Sequence, residues 1–327
     1  MDLGNRLTLT RRALMAGAAA AGAALAMPTG VRAAETRKLR LLLDWYINPN
    51  HAPLLVAQEI GAFAANGLEV EIIEPADPND PPKLVAAGQG DIAISYQPQL
   101  MMQLDQGLPL ARIGVLVDTP LNMLLALGGG AIKTLADLKG KKIGYSVGGF
   151  EDALLTTMLA TAGLTLKDVE LVNVNFALAQ SLLSGAADAV IGAYRNYELN
   201  ILAIEGKTPL PFFVEEYGVP AYDELIFIAA KDRAAQPANA AFLNAVQAGI
   251  AFTMNKPDEA WQLFIKGRAQ LDDELNKRAF QDTLRRFSHT PAAADAVRYE
   301  RFGAYLQSLG LIKEARPVTD YLVRPGA

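Results

Sequence analysis

The stretch Leu84–Tyr96, LVAAGQGDIAISY, is echoed by Leu182–Tyr194, LLSGAADAVIGAY. In both stretches a helical segment ends at a glycine, an aspartate starts a short apolar strand, and a tyrosine stands where the strand finishes. The spacing differs by one residue, so two similar turns that arose by chance stay an alternative. We interpret the echo as two related α/β lobes, each delivering an aromatic side chain from the carboxyl end of a strand. Open α/β sheets bind ligands at that end, so the lobes are expected to face each other across a cleft.

Outside this repeat, short apolar runs alternate with helical segments, which is the pattern of parallel α/β layers. A helix is predicted over His51–Ala65, and the chain is predicted to be almost entirely helical from Asn239 onward. Strands are predicted at Leu39–Leu43, Leu68–Ile73, Asp91–Tyr96, Ala111–Val117, Lys141–Ser146, Glu170–Val174, Asp188–Ala193, Leu210–Val214 and Glu224–Ala230.

Residues 1–33 have the pattern of an export signal. Arg11 and Arg12 lie in the sequence TRRALM, which resembles the twin-arginine motif, and an uncharged segment at 13–26 follows that is too short to span a bilayer. The twin-arginine export machinery is therefore an expected partner. We expect a periplasmic protein that is soluble and has no lipid anchor, because the chain has no cysteine to carry one.

The composition argues against several classes of function. Without cysteine there is no disulfide framework, thiolate metal site or nucleophilic cysteine. The two histidines, His51 and His289, do not suffice for a catalytic triad or a zinc site, so no metal and no cofactor is expected. The net charge of −5, with both signs spread along the chain, leaves no basic stripe for nucleic acid.

Several segments together resemble a known group of proteins. They are LDWYINPNH at 43–51, PADPND at 75–80, YQP at 96–98, DLKGKKIGYS at 137–146 and AYRNYE at 193–198. With these motifs the chain is similar to the periplasmic solute-binding proteins of ABC importers. Within them it resembles the branch shared by binding proteins for the pyrimidine precursor of thiamine and the related eukaryotic pyrimidine synthases. The resemblance runs from about Leu41 to Ala230.

The resemblance implies an α/β fold, a periplasmic binding protein of type II with two α/β lobes, a hinge and a central cleft. One lobe would combine residues 38–127 with the helical residues 231–327, and the other would contain residues 128–230. Such proteins close their lobes around a ligand by a hinge motion. They deliver it to an ABC permease and ATPase complex, which is therefore an expected partner.

The branch includes enzymes, and the residues allow a direct comparison with them. The synthases use a cysteine cluster, together with a Lys and, four residues later, a His at the end of the strand that matches 91–96. This sequence has no cysteine, Ser95 at the Lys position and Gln99 at the His position. Neither residue supplies a Schiff-base amine or an imidazole ligand, so we expect a binding protein and not an enzyme.

Candidate ligand-binding residues follow the predicted strands. The segment after the first strand contributes Asp44, Trp45, Tyr46, Asn48 and His51. If the chain is still extended there, Trp45 and Tyr46 point to opposite sides, so one stacks on a flat ligand and the other packs inward. The remaining candidates are Tyr96, Asn122, Gly148, Gly149, Tyr194, Asn196 and Glu198.

Each group of candidates has an expected role. Aromatic rings from both lobes are expected to clamp a planar ligand. Glu198, beside the amide of Asn196, is expected to read the amine edge of a 4-aminopyrimidine. Free backbone amides at Gly148 and Gly149 are expected to receive a polar or anionic group, with a plain strand-to-helix turn as the alternative. Asn122, near the first crossing between the lobes, is either a hinge residue or a ligand contact.

The expected function is capture of a thiamine-precursor pyrimidine, such as N-formyl-4-amino-5-aminomethyl-2-methylpyrimidine, for uptake. One alternative is a binding protein for another small solute, such as an alkanesulfonate, nitrate or a riboflavin-like heterocycle. An anion calls for a cation beside the cleft, and Arg195 is the one cationic candidate in the motifs after the second-lobe strand. A pyrimidine synthase is the disfavoured alternative, for the reasons given above.

Overall fold

The computed structural model describes Met1 and residues 36–326, and the predicted export signal at 1–33 therefore lies outside the described residues apart from Met1. Two five-stranded sheets form the framework. Their strands are Arg37–Leu42 (β1), Leu68–Ile73 (β2), Ile92–Ser95 (β3), Leu110–Val117 (β4), Asn122–Leu127 (β5), Lys142–Tyr145 (β6), Glu170–Asn173 (β7), Ala189–Tyr194 (β8), Pro209–Phe213 (β9) and Leu225–Ala230 (β10).

The two sheets share one arrangement of strands. The first sheet has the order β2-β1-β3-β10-β4, in which β1 pairs in parallel with β2 and β3, and β10 is antiparallel to β3 and β4. The second sheet has the order β7-β6-β8-β5-β9, in which β6 pairs in parallel with β7 and β8, and β5 is antiparallel to β8 and β9. The sequence did not predict β5, whose residues 122–127 were grouped with the first lobe, and the structure places them in the second sheet. The predicted lobe boundaries themselves stay a prediction.

The repeat seen in the sequence has the same local geometry at both places. Gly88 and Gly185 each follow a helix with φ of +75°, a left-handed conformation that glycine adopts without strain. The Asp91 carboxylate accepts a 2.8 Å hydrogen bond from a backbone amide of β1, and the Asp188 carboxylate accepts one of 2.9 Å from a backbone amide of β6. In each sheet the aspartate therefore ties the start of one parallel strand to its neighbour, and the chain then continues to a tyrosine.

Helices cover both sheets. The predicted helix His51–Ala65 is divided in two at Gly61, which has φ of +73°. The α-helices are Ala52–Glu59 (α1), Ala62–Ala65 (α2), Pro81–Ala86 (α3), Gln97–Asp105 (α4), Phe150–Thr161 (α5), Leu178–Ser184 (α6), Glu198–Ile204 (α7), Pro237–Asn255 (α8), Pro257–Ile265 (α9), Glu274–Thr283 (α10) and Ala296–Ser308 (α11). Single 3₁₀ turns lie at Pro49–His51, Leu135–Leu138, Leu166–Asp168, Val214–Tyr217, Ala269–Leu271, Leu284–Arg286 and Val318–Asp320.

The chain crosses between the sheets twice, after β4 and before β10, and one carboxylate joins the two crossings. Glu224, which is fully buried, accepts hydrogen bonds through Oε2 from the backbone amides of Leu121 (2.6 Å) and Asn122 (3.0 Å) and from the Tyr222 hydroxyl (2.9 Å). Burial raises the pKa of Glu224 to about 7 although these donors favour the charged form. One buried ionisable group therefore bonds the two crossings to each other.

Within residues 36–326, no helix combines the length and the apolar character that crossing a bilayer requires.

Candidate functional site

A cavity lies between the carboxyl ends of the parallel strands of the two sheets. It contains about 450 Å³ of space unoccupied by protein atoms, counted out to its mouth. From the first-sheet side, Asp44, Trp45, Asn48 and Tyr96 line it, and from the second-sheet side Asn122, Tyr194 and Glu198 do so. Seven of the twelve predicted site residues are thus brought together, and their contact with a ligand stays a prediction.

Asp44 is the centre of a buried hydrogen-bonded group. The Asn48 backbone amide donates to His51 Nδ1 (3.3 Å), so the ring proton is on Nε2, which donates to Asp44 Oδ1 at 2.9 Å. The Tyr96 hydroxyl donates to Asp44 Oδ2 at 3.0 Å. Burial, followed by the nearby Asp44 charge, raises the pKa of Tyr96 well above its usual value. His51 does not line the cavity, and it positions the Asp44 carboxylate through the hydrogen bond from Nε2.

The aromatic residues meet across the cavity. Tyr96 stacks on Phe150 of α5 with ring centroids 4.9 Å apart and planes at 16°, so one face of Tyr96 is already covered. Trp45 makes an edge contact with Phe176 at 4.6 Å. The Trp45 side chain borders the cavity, and this leaves part of it next to unoccupied space.

Tyr46 does not pack inward, contrary to the expectation from an extended chain. Its side chain is 36 % exposed, outside the cavity, and its ring lies 6.4 Å from that of Tyr197. The reason is local, because β1 ends at Leu42 and residues 44–47 form a bend. The alternation of side chains between two faces holds only while the strand continues.

Glu198 begins α7, and its carboxyl group is buried with 7 % exposure. Oε2 accepts a 2.6 Å hydrogen bond from the Tyr194 backbone amide, and among the described residues no side chain donates to the carboxyl group. Burial raises its pKa to about 7. The carboxyl group is thus shielded from solvent, and it lines the cavity with no cationic partner among the described residues.

Asn196 is placed away from the cavity lining. Its Nδ2 donates to Asn50 Oδ1 and to Thr283 Oγ1, each at 2.6 Å. These bonds connect the segment after β8 to elements packed on the first sheet. The geometry gives Asn196 the role of a tie between the two sheets, and the predicted pairing of its amide with a ligand has no support from this position.

Gly148 and Gly149 also lie outside the lining, and their amides are already engaged. The Gly148 amide donates to Asn79 Oδ1 (3.1 Å), and the Gly149 amide donates to Asp152 (3.1 Å). The expectation of free amides at this helix N-terminus was wrong. Its donors are satisfied by side chains, one of which comes from the distant PADPND segment.

Several lining residues were not predicted. Glu151 and Phe150 begin α5, Tyr197 lies in the AYRNYE motif, and Asn50 lies in LDWYINPNH. Tyr197 and Asn50 belong to motifs that the sequence had singled out, and Phe150 and Glu151 directly follow the candidate Gly149. A usable signal for Glu151 was an acid in the first turn of a helix that directly follows a cavity-side loop.

The cavity lining contains three carboxyl groups and no basic side chain among the described residues. Asp44, Glu151 and Glu198 line it, and no Lys or Arg is among its described lining residues. Arg195 points elsewhere: its guanidinium donates to both oxygens of Glu215 (2.6 and 2.8 Å) and to the carbonyl oxygens of Leu121 and Asn122 (3.3 and 3.2 Å). In the part of the chain that the structure describes, no group of three or more His, Cys, Asp or Glu side chains is arranged for a metal ion.

Sequence comparisons identify three relatives of this chain. A relative from Haemophilus influenzae, named a putative thiamine biosynthesis protein, is 52 % identical over 287 residues, covering 88 % of this chain and 91 % of the relative. The formylaminopyrimidine-binding protein of Halalkalibacterium halodurans is 35 % identical and covers 75 % of each chain. A 4-amino-5-hydroxymethyl-2-methylpyrimidine phosphate synthase of Legionella pneumophila is 29 % identical, covering 85 % of this chain and 88 % of that enzyme.

Among solved structures, the alkanesulfonate-binding protein SsuA of Xanthomonas axonopodis pv. citri, bound to MOPS, superposes with a TM-score of 0.71 at 16 % identity. The match covers 89 % of this chain and 99 % of that one, which confirms the periplasmic binding protein fold. A family profile described as NMT1/THI5 like matches residues 48–260. On the strength of that match and of the 35 and 52 % identical relatives, the chain belongs to the NMT1/THI5-like family.

Proposed function

We propose that this protein is an exported solute-binding protein of an ABC importer that captures a thiamine-precursor pyrimidine, such as N-formyl-4-amino-5-aminomethyl-2-methylpyrimidine. The observation that carries the proposal is the cavity, in which aromatic rings and buried carboxyl groups from both sheets meet and no described lining residue is cationic. A flat ring that bears an amine is complementary to such walls. The permease and ATPase complex would receive the ligand, and the twin-arginine machinery would export the protein to the periplasm.

Recognition of the ligand would combine ring stacking with hydrogen bonding. Trp45 and Tyr194 present rings from the two sides of the cavity. Stacking contributes roughly 0.5–1.5 kcal/mol per ring beyond area burial. Glu198, whose carboxyl group has no side-chain donor among the described residues, is placed to accept from the exocyclic amine. A hydrogen bond to a charged group is worth about 1.5–3 kcal/mol, so Glu198 would supply the larger single term.

A panel of ligands tests the proposal. Purified protein is mixed with aminopyrimidines, alkanesulfonates, nitrate and riboflavin, and its melting temperature and binding heat are measured. A pyrimidine of the thiamine-precursor class is expected to bind tightly and raise the melting temperature, because a ligand that binds only the native state stabilises it. If another solute shifts the protein and no pyrimidine does, the ligand assignment is overturned while the role in binding survives.

The sulfonate alternative has one specific argument, namely the likeness of the fold to an alkanesulfonate-binding protein. A sulfonate calls for a cation, and the one candidate predicted from the motifs, Arg195, has its donors occupied by Glu215 and by backbone carbonyls. We expect Arg195→Ala to lower the free energy of unfolding by about 1–3 kcal/mol, since it removes charge-assisted bonds at an 11 % exposed side chain. Pyrimidine affinity should change by less than about threefold.

Urea unfolding and calorimetry of the Arg195→Ala variant check both parts of this expectation. A selective loss of sulfonate binding, with stability intact, would instead place Arg195 at the ligand and favour an anion carrier.

The synthase alternative rests on the Legionella pneumophila relative and on others with the same name. In this chain the two residues at the matching Lys and His positions bond to each other, because the Ser95 hydroxyl donates to Gln99 Oε1 at 2.8 Å and both side chains are buried. We expect protein incubated with pyrimidines, iron and pyridoxal phosphate to return every compound unchanged in mass analysis. Any turnover would contradict a purely binding role.

The proposal also includes a closing motion, in which two lobes that each contain one sheet close around the ligand. Asn79 connects them beside the lining residue Val147: Oδ1 accepts from the Gly148 amide and Nδ2 donates to the Ser146 carbonyl, both at 3.1 Å. We expect Asn79→Ala to speed ligand dissociation roughly 5- to 150-fold, the equivalent of two neutral hydrogen bonds. Stopped-flow displacement measures the rate.

The matched control for this variant is Asn66→Ala. Asn66 donates its side-chain amide within the first-sheet side only, to the Ala62 carbonyl at 2.8 Å. It should leave the dissociation rate unchanged. Equal rates for the Asn79 variant and the wild type would show that this contact does not hold the closed state.

A further inference from the structure

Asn122 has a buried donor without a partner. It is the first residue of β5, is 0 % exposed and lines the cavity. Its Oδ1 accepts from the Gly192 backbone amide at 3.1 Å, and only an oxygen can do so, which fixes the orientation of the side-chain amide. Among the described residues, nothing accepts from Nδ2. A buried donor left unpaired is costly, so Nδ2 calls for an acceptor supplied from the cavity.

Glu151 reaches the same place from α5. Its side chain is 3 % exposed, lines the cavity, and accepts through Oε2 from the Ser146 amide at 2.7 Å. Its Oε1 lies against Gly192, where an added Cβ would stand 2.2 Å from that oxygen. Gly192 also has φ of +100°, so both the close contact with Glu151 and the backbone conformation require glycine at this position. Asn122 and Glu151 therefore flank one glycine at the carboxyl end of β8.

The protonation state of Glu151 decides whether its carboxyl group can donate a hydrogen bond to a ligand. Burial raises the pKa of this carboxyl group well above its usual range, which favours the protonated form. A protonated Glu151 carboxyl group is a hydrogen-bond donor, and together with Asn122 Nδ2 it places two donors beside Gly192.

We propose that Asn122 and Glu151 form an acceptor-reading subsite, which binds an uncharged carbonyl or hydroxyl oxygen on the side arm of the ligand and discriminates against a protonated amine. The proposal rests on the proposed function and deepens it, since Glu198 reads the ring amine and this subsite reads the substituent. Two donors beside the same glycine suit an N-formylaminomethyl arm, whose carbonyl oxygen has two lone pairs. They repel an aminomethyl arm, which carries only hydrogens on its ammonium group.

A change of specificity tests the subsite. The dissociation constants of N-formyl-4-amino-5-aminomethyl-2-methylpyrimidine and of the unformylated amine are measured by calorimetry for the wild type and for Asn122→Asp. The wild type is expected to prefer the formyl compound. In the variant one carboxylate oxygen still accepts from Gly192 while the other replaces the donor, so formyl affinity should fall about 10-fold or more and amine affinity should rise.

Asn239→Asp is the control for a new carboxyl group at a buried position. Asn239 is 5 % exposed and lies outside the cavity lining, and its Nδ2 donates to the carbonyl oxygens of Arg233 and Ala234, both at 2.9 Å. A reversal at 122 without one at 239 supports the subsite. If both ligands bind and Asn122→Asp keeps the formyl preference, or if Asn239→Asp shifts it equally, the subsite is overturned alone. If neither pyrimidine binds the wild type, the proposed function fails with it. Melting curves establish that each variant is folded.

Discussion

Glu198→Gln is expected to weaken binding of a neutral aminopyrimidine by roughly 10- to 150-fold, the equivalent of one hydrogen bond to a charged group. The substitution keeps the size of the side chain. Its amide oxygen replaces Oε2 as acceptor for the Tyr194 amide, and this turns the amide NH₂ group to the position of Oε1. A donor then faces the donor of the ligand. Calorimetry on the wild type and the variant measures the loss.

The same carboxyl group predicts a dependence on pH. Because burial raises its pKa to about 7, the accepting carboxylate forms only as the pH rises through that value. Affinity is therefore expected to rise between about pH 6 and pH 8 and then to level off. The Glu198→Gln variant should lose this rise in affinity. Any pH dependence of affinity that remains in the variant reports the titration of the ligand. An unchanged affinity and an unchanged pH profile in the variant would remove Glu198 from the ring edge.

The second large effect concerns the stability of the ligand-free protein. Glu224, at the two crossings, has a pKa raised to about 7 from an ordinary 4.5. A carboxyl group whose pKa is raised on folding stabilises the protein fully below the unfolded value and loses that contribution as the pH rises through the folded value. The loss amounts to about 3 kcal/mol between about pH 4.5 and pH 8, because each pH unit that separates the unfolded and folded pKa values contributes about 1.4 kcal/mol.

Glu224→Gln is expected to remove this pH-dependent contribution to the free energy of unfolding. A neutral amide still accepts from the Leu121 and Asn122 amides, and it does not titrate. The difference in unfolding free energy between variant and wild type should therefore move in favour of the variant as the pH rises. Urea unfolding at fixed pH values measures it, and other titrating groups cancel in the difference. A difference independent of pH would show that Glu224 ionises at its ordinary pKa.

Much of the framework follows from local sequence rules. The nine predicted strands are all present, because apolar runs bounded by turn residues mark buried strands. The strand at Asn122–Leu127 was missed since Pro120 stands just before an apolar run that periodicity alone does not identify as a strand. Its pairing with β8 and β9 depends on partners distant in sequence.

The candidate site, like the framework, could be predicted from the sequence only in part. Asp44, Trp45, Tyr96, Tyr194 and Glu198 were found because they follow parallel strands, whose carboxyl ends meet at one edge. What escaped prediction is which partner each polar group meets. No local rule shows that Asn79 occupies the Gly148 amide or that Asn196 ties Asn50 to Thr283, since those contacts join segments 69 to 146 positions apart.

The strand order has a consequence for biogenesis. All five strands of the second sheet lie within residues 122–213, a contiguous piece of chain, whereas the first sheet has β10 inserted between β3 and β4. A ribosome delivers β10 only after the second sheet has been completely synthesised. Nascent chains would therefore assemble the middle of the polypeptide first and hold the amino-terminal strands in an incomplete, aggregation-exposed state until residue 230 emerges.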